Sequence, residues 1–402
     1  MEHAVNLDEK FVMPARLKSW SFILIIAGLA GMVASFFIYT GEEGHKHLWA
    51  ALVMCAVYFQ GIAVASCFFQ AATYVAYGGW HAAIKRVPEA IGMFLPYTSL
   101  LLLLVLAVPN LLYGHHPVYH WTDHYAAEHD PLIAGKTPYL NLPFFFIRFV
   151  IFVGALLFLT WMMRKNSLQE DQDNDIKYYR SNLTWASLFL FVFAIYILIT
   201  AWDWLMSIDT HWYSTMYGWY AFASSWVNGL AIITLVVIYL KKNNYLGWVN
   251  NNHLHDLGKL MFAFSIFWTY VTFCQFMLIW YANIPEETVY FRTRYDHFMW
   301  LFYAIFIINF LAPFLVLMSR DSKRRYTVLI AGACIIIIGH FADYYLMVYP
   351  ATVGEPKFGL IELSTLAFYA GLLIYVVFTN LGRANLVPKH HPFLQESLHH
   401  TT

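Results

Sequence analysis

Apolar residues in this chain run in long unbroken stretches, near residues 18–39, 48–77, 91–114, 142–164, 183–206, 216–241, 257–281, 296–319, 325–349 and 358–381. A helix needs about 20 apolar residues to cross roughly 30 Å of hydrocarbon. The pattern therefore predicts an all-α integral membrane protein of about ten transmembrane helices. The first run, with 17 fairly polar residues before it, is too long for a secretory-signal core and has no small-residue cleavage pattern after it, so it is expected to be retained.

The polar residues between the runs are sorted by charge. Eighteen Lys and Arg fall in one alternate set of connections and five in the other, with Arg148 alone inside a run. Positive charge is held on the cytoplasmic side during insertion. The expected layout is a cytoplasmic segment 1–17, a membrane domain 18–381 and a cytoplasmic tail 382–402, in a bacterial inner membrane.

Composition agrees with lipid as the solvent: 60% of residues are apolar and 12% charged, against about 25% charged in a soluble domain. The formal net charge is zero, which offers no electrostatic case for nucleic acid. Cys55, Cys67, Cys274 and Cys334 lie in apolar runs without the spacing of an iron–sulfur or c-type haem motif. His340 is the only histidine well inside a run, so the two axial ligands of a transmembrane b-type haem are lacking. No phosphate-binding or dinucleotide fingerprint appears.

An internal similarity links the two halves. The fourth run ends in Phe158-Leu159-Thr160-Trp161-Met162-Met163-Arg164 and the eighth in Phe314-Leu315-Val316-Leu317-Met318-Ser319-Arg320; the runs after them carry Ala201-Trp202-Asp203-Trp204 and Phe341-Ala342-Asp343-Tyr344. An offset of four helices preserves direction through the membrane. The expected architecture is two four-helix bundles, helices 2–5 (about 48–206) and 6–9 (about 216–349), related by a parallel repeat, with helices 1 and 10 peripheral.

Ionised groups in hydrocarbon are costly and mark sites. Arg148 and Asp203 are expected at similar outer depth on adjacent antiparallel helices, as a structural ion pair or as part of a polar head-group site or proton relay. Under the repeat, Ala304 stands where Arg148 would be, so Asp343, one helical turn from His340, is expected to find a partner elsewhere, with His297 or Arg294 at hand. Gln275 and Glu362 lie at comparable outer depth, Gln70 and Glu89 near the inner side. Trp202, Trp204, Trp212 and Trp219 suit an interfacial belt. The outer loop with His115, His116, His120, His124, His129, Asp123, Glu128 and Asp130 suits docking to a partner, or a metal site if His120 and His124 share a helical face.

The stretch LMFAFSIFWTYVTFCQFMLIWYANIPEET at 260–288, with Asp203-Trp204-Leu205-Met206-Ser207 and Trp212-Tyr213-Ser214-Thr215-Met216-Tyr217-Gly218, resembles the ActF-type subunits of bacterial alternative complex III, in the wider NrfD/PsrC-like membrane family. The resemblance implies a cofactor-free membrane subunit of a quinol:cytochrome c (or cupredoxin) oxidoreductase in the respiratory electron-transfer chain. It implies a homologous ActC-like subunit, a periplasmic iron–sulfur protein, c-type cytochromes carrying haem c, small membrane subunits and an associated terminal oxidase as partners. Its role there would be scaffold and proton conductor or quinone (menaquinone) pocket, with Arg148, Asp203, His340, Asp343, Gln275 and Glu89 as the polar groups. The rival reading is a secondary transporter with interrupted helices at matched positions in both halves, a pattern that Pro96, Pro109, Pro143 and Pro313 do not form.

Overall fold

A computed structural model describes residues 6–401. Ten helices in it are long and apolar enough to cross a membrane: α1 (Ala15–Ile38), α2 (Gly41–Val75), α3 (Arg86–Tyr113), α4 (Leu142–Glu170), α5 (Lys177–Ile208), α6 (Met216–Lys242), α7 (Asn251–Ala282), α8 (Pro285–Leu317), α9 (Tyr326–Thr352) and α10 (Leu360–Leu381). The protein is thus a multi-pass helical membrane protein. Each of the ten apolar runs corresponds to one helix, but several helices outrun their apolar stretch. α8 begins at Pro285 rather than near 296, because Glu286, Glu287, Arg292 and Arg294 continue the helix while raising its polarity. Hydropathy reports solubility in lipid, whereas the helix persists wherever the backbone bonds itself.

Helices α2 and α6 form the centre. In the most apolar window of each, 89% and 83% of residues are buried, against 17% in α1. Small residues bring them together: a Cβ on Gly229 would lie 2.4 Å from that of Ala65, and one on Gly61 would lie 2.7 Å from Ser225 Oγ. Gly61/Ala65 thus faces Ser225/Gly229, two small residues one turn apart on each helix, and dispersion between close backbones replaces the hydrophobic drive that lipid cannot supply. Around α2 pack α3, α5 and α10; around α6 pack α7 and α9; α4 lies on α5 and α8 on α9. Contacts between α2 and α9 and between α5 and α6 join the two groups, and α1 packs chiefly on α10.

The segment before α1 and the segment after α10 meet at one end of the array, called the terminal face below. Lys10 and Asn385 form an isolated bridge, and Leu386 N donates to Glu9 O at 2.8 Å. Two helices are irregular where it matters. α5 passes through a π-helical turn at Ala201–Leu205 that carries Asp203. α8 has a kink at Phe298 (φ −123°, ψ 22°) and a π-helical turn at Ile307–Leu311.

Candidate functional site

The six polar positions singled out from sequence fall in three places. Arg148 and Asp203 meet, as adjacency of α4 and α5 predicts. Arg148 Nε donates to Asp203 Oδ2 at 2.7 Å and Nη2 to Oδ1 at 3.0 Å, and both residues are buried. The guanidinium also donates to the Tyr139 carbonyl at 2.9 Å and lies 3.9 Å from the Tyr139 ring and 4.4 Å from that of Phe144. A planar, bidentate, ring-sandwiched Arg is the geometry that best repays desolvation. The π turn directs Asp203 toward α4, and Ser207 Oγ donates to the Asp203 carbonyl at 2.6 Å.

Glu89 lies near the terminal face, in a buried network. It accepts from Arg86 Nη1 (2.7 Å), from Ser167 Oγ (2.5 Å) and from Arg164. Lys85 pairs with Glu170 at 2.8 Å, and Arg86 with Asp171. Three cations and three carboxylates are therefore closed together in one neutral group. Sequence reasoning singled out Glu89 alone, because its five companions look like ordinary loop charges until α3 and α4 bring them together. Gln70 stays outside this group and donates to the Ser66 carbonyl at 3.3 Å.

The C-terminal tail covers the network instead of hanging free. Lys389 N donates to Asp171 Oδ1 at 3.1 Å, Ser397 Oγ to the Trp80 carbonyl at 2.7 Å, and His400 Nε2 lies 2.5 Å from Asp256 Oδ2 at the start of α7. Under the tail, the rings of His81 and His391 pack edge to face at 6.0 Å. Burial holds His81 down at about 4 and His391 well below the usual imidazole value of 6.5, in each case aided by the positive Lys85. The undocked tail binds protons that the docked one refuses, so docking is complete above about pH 7 and weakens as pH falls from 6.5 toward 4. Carboxypeptidase trimming of the tail in native membranes is expected to accelerate between pH 7 and pH 5; equal rates would contradict the burial of these histidines.

The third place is on α6, α7 and α9. Asp343 accepts from Ser224 Oγ at 2.9 Å, from Trp268 Nε1 at 3.0 Å and from the Tyr220 hydroxyl. Neither His297 nor Arg294 pairs with it, which corrects the expected ion pair: three neutral donors satisfy this carboxylate where Asp203 has an Arg. Ser224 Oγ also lies 2.9 Å from His340 Nδ1. With its single proton given to Asp343, Ser224 accepts from an Nδ1–H of His340, whose Nδ1 also lies 3.6 Å from Asp343 Oδ2. His340 Nε2 is buried without a hydrogen-bond partner among the described residues. Tyr220, Ser224 and Trp268 carry no charge, so nothing in the sequence marked them.

Asp343 opens onto a cavity of about 400 Å³ whose wall also includes Gln275 and Arg294. Arg294 is buried, donates to the Tyr290 carbonyl at 2.8 Å and lies 3.3 Å from the Tyr290 ring, and has no carboxylate within 4 Å among the described residues. The remaining walls are largely aromatic, among them Phe276, Phe291 and Phe302. An apolar chamber of this size with a few convergent polar groups is the general form of a small-molecule site. Gln275, Asp343 and Arg294, scattered over three helices in the sequence, are thus brought to one chamber.

Two expectations are revised. Trp204 and Trp212 are buried rather than interfacial; Trp212 stacks on Tyr290 at 3.9 Å and donates to the Glu287 carbonyl, while Trp219 is exposed. In the histidine-rich loop, His120 and His124 sit on separate short helices, because Asp123 is extended and caps the second by accepting from Tyr125 N at 3.0 Å. Among the described residues no three His, Cys, Asp or Glu side chains are grouped to hold a metal ion; the Glu128 side chain lies outside them. Glu362 is joined by His47, at 2.6 Å, and by Tyr349. No family model matches the chain, and no curated protein matches it significantly.

Proposed function

We propose that this chain is a membrane subunit of a quinol-oxidising respiratory complex of the alternative complex III type, passing electrons toward cytochrome c or a cupredoxin. The cavity beside Asp343 would take the quinone or menaquinone head group. The observation that carries this reading is the placing of an acceptor, Asp343, and donors, Gln275 and Arg294, around one apolar chamber. A quinol hydroxyl needs an acceptor for its proton, and a quinone carbonyl needs a donor. Oxidation releases two electrons and two protons per quinol; Asp343 would accept one proton, and the other would leave to water on the outer side. The electrons would leave to haem c and iron–sulfur centres in partner subunits, as the resemblance implies.

The helix contacts support the repeat. Pairing of α2 with α3 and α5, and of α4 with α5, is repeated by α6 with α7 and α9, and α8 with α9. In this reading the halves are two four-helix bundles with α1 and α10 outside, and both termini are cytoplasmic, in a bacterial inner membrane. The ion pair of the first bundle would then be a structural counterpart of the Asp343 site. The Glu89 network would anchor the scaffold on the cytoplasmic side.

Titration of the purified complex with a short-chain naphthoquinone should show weaker binding in Arg294→Met and in Gln275→Leu, by about tenfold or more for the charged donor. Unchanged affinity in both variants, in assembled complexes, would remove the cavity as the head-group site.

A further inference from the structure

We infer that the Asp343 cavity is entered sideways, through a mouth between α7 and α8 that faces the bilayer, so that its ligand is an amphiphile drawn from lipid. This rests on reading the cavity as a ligand site, and adds the route and the chemistry that the route selects.

Phe273 on α7 and Tyr303 and Phe306 on α8 line the cavity, and they are 55%, 51% and 43% exposed. All three sit inside spanning segments, where the outside is hydrocarbon. One continuous space therefore has lipid at its mouth and a buried carboxylate at its inner end. The reason lies in α8. Phe298 leaves helical geometry, and the π turn at 307–311 inserts a second irregularity, so the stretch that bears Phe302, Tyr303 and Phe306 lies between two breaks. A regular helix would lie along α7 and close the seam by ridge-into-groove packing; one broken twice need not follow it.

Toward the other end of the same seam lies a second cavity of about 260 Å³, which shares Phe276, Phe291, Tyr295 and Phe302 with the first. The seam is thus open along much of its length. The approach from the aqueous end of α6 is covered, because Trp212 lies flat on Tyr290 and Tyr290 lies under Arg294. A solute arriving from water along α6 would have to displace that stack. A molecule with a compact hydrogen-bonding head and an apolar chain would leave its chain in lipid and pass only its head between the rings.

The test uses two photoreactive probes on the assembled complex in native membranes, a naphthoquinone bearing a decyl chain and its chainless counterpart, with labelled residues mapped by mass spectrometry. The decyl probe is expected to label Phe273, Tyr303 and Phe306 in a saturable way, while its labelling of lipid-facing Phe37 on α1 stays proportional to concentration. The chainless probe should need at least about tenfold more aqueous reagent for the same label, as transfer of each pair of methylenes to an apolar medium already favours the chain by that order. Equal potency of the two probes, with label at Gln275 and none at the mouth, would overturn the lateral route and leave the site intact. Saturable labelling by neither would remove the site, and the route with it. Phe306→Trp, which narrows the mouth, should reduce decyl-probe label at Gln275; unchanged label there in the assembled variant would also overturn the route.

Discussion

Replacing Glu89 by Ala is expected to destabilise the folded protein by about 3–5 kcal/mol, as removal of one partner from a buried ionic group does. Among the described residues Glu89 is the only carboxylate that touches both Arg86 and Arg164, and Lys85 lies 3.9 Å from it. Without it, three cations share Glu170 and Asp171, and Arg164 is left buried with no carboxylate within 4 Å among the described residues. An SDS titration in mixed micelles, following loss of helix-packing fluorescence, would measure the change. Pairing Glu89→Ala with Arg164→Met should recover part of the loss, because the stranded charge goes with its partner. A single-variant loss below about 1 kcal/mol, the scale of a surface pair, would mean that water reaches the network.

The second large effect is expected at Arg148. Arg148→Met leaves Asp203 ionised in a desolvated setting, or forces it to take up a proton, and a cost of similar size, about 3–5 kcal/mol, is expected. The double variant Arg148→Met, Asp203→Leu should stand closer to the native chain than Arg148→Met alone, since the stranded carboxylate is removed as well. This cycle distinguishes two uses of the pair. Under the proposed function, a double variant that assembles with unchanged quinol oxidation and proton release would make the pair structural. A stable double variant that loses proton release would place Asp203 in a relay. A double variant less stable than Arg148→Met would contradict the stranded-charge account itself.

The two intramembrane carboxylates show how far side-chain pattern reaches. Asp203 and Arg148 could be matched from the sequence because each is a charge in an apolar run and their helices are neighbours in the chain. Asp343 could be found in the same way, but its partners could not. Tyr220, Ser224 and Trp268 are neutral residues of unremarkable helices, and only the packing of α6, α7 and α9 turns them toward it. The tail shows the same limit: the burial of His391 depends on Tyr74 of α2, His81 and Tyr179 of α5, residues far from it in the chain.

Sequence by itself determined the number and approximate places of the spanning segments, because transfer of backbone into lipid leaves a long apolar stretch one regular choice, the helix. It also marked Arg148, Asp203 and Asp343 as ionisable groups trapped among them, since each stands within an apolar run. Tertiary structure decided which neutral side chains complete those groups. It decided, too, that a six-charge network lies under the tail, and that a seam between α7 and α8 stays open. These follow from contacts between segments distant in the chain and from breaks in α8, whose energies are sums over neighbours that no local pattern contains.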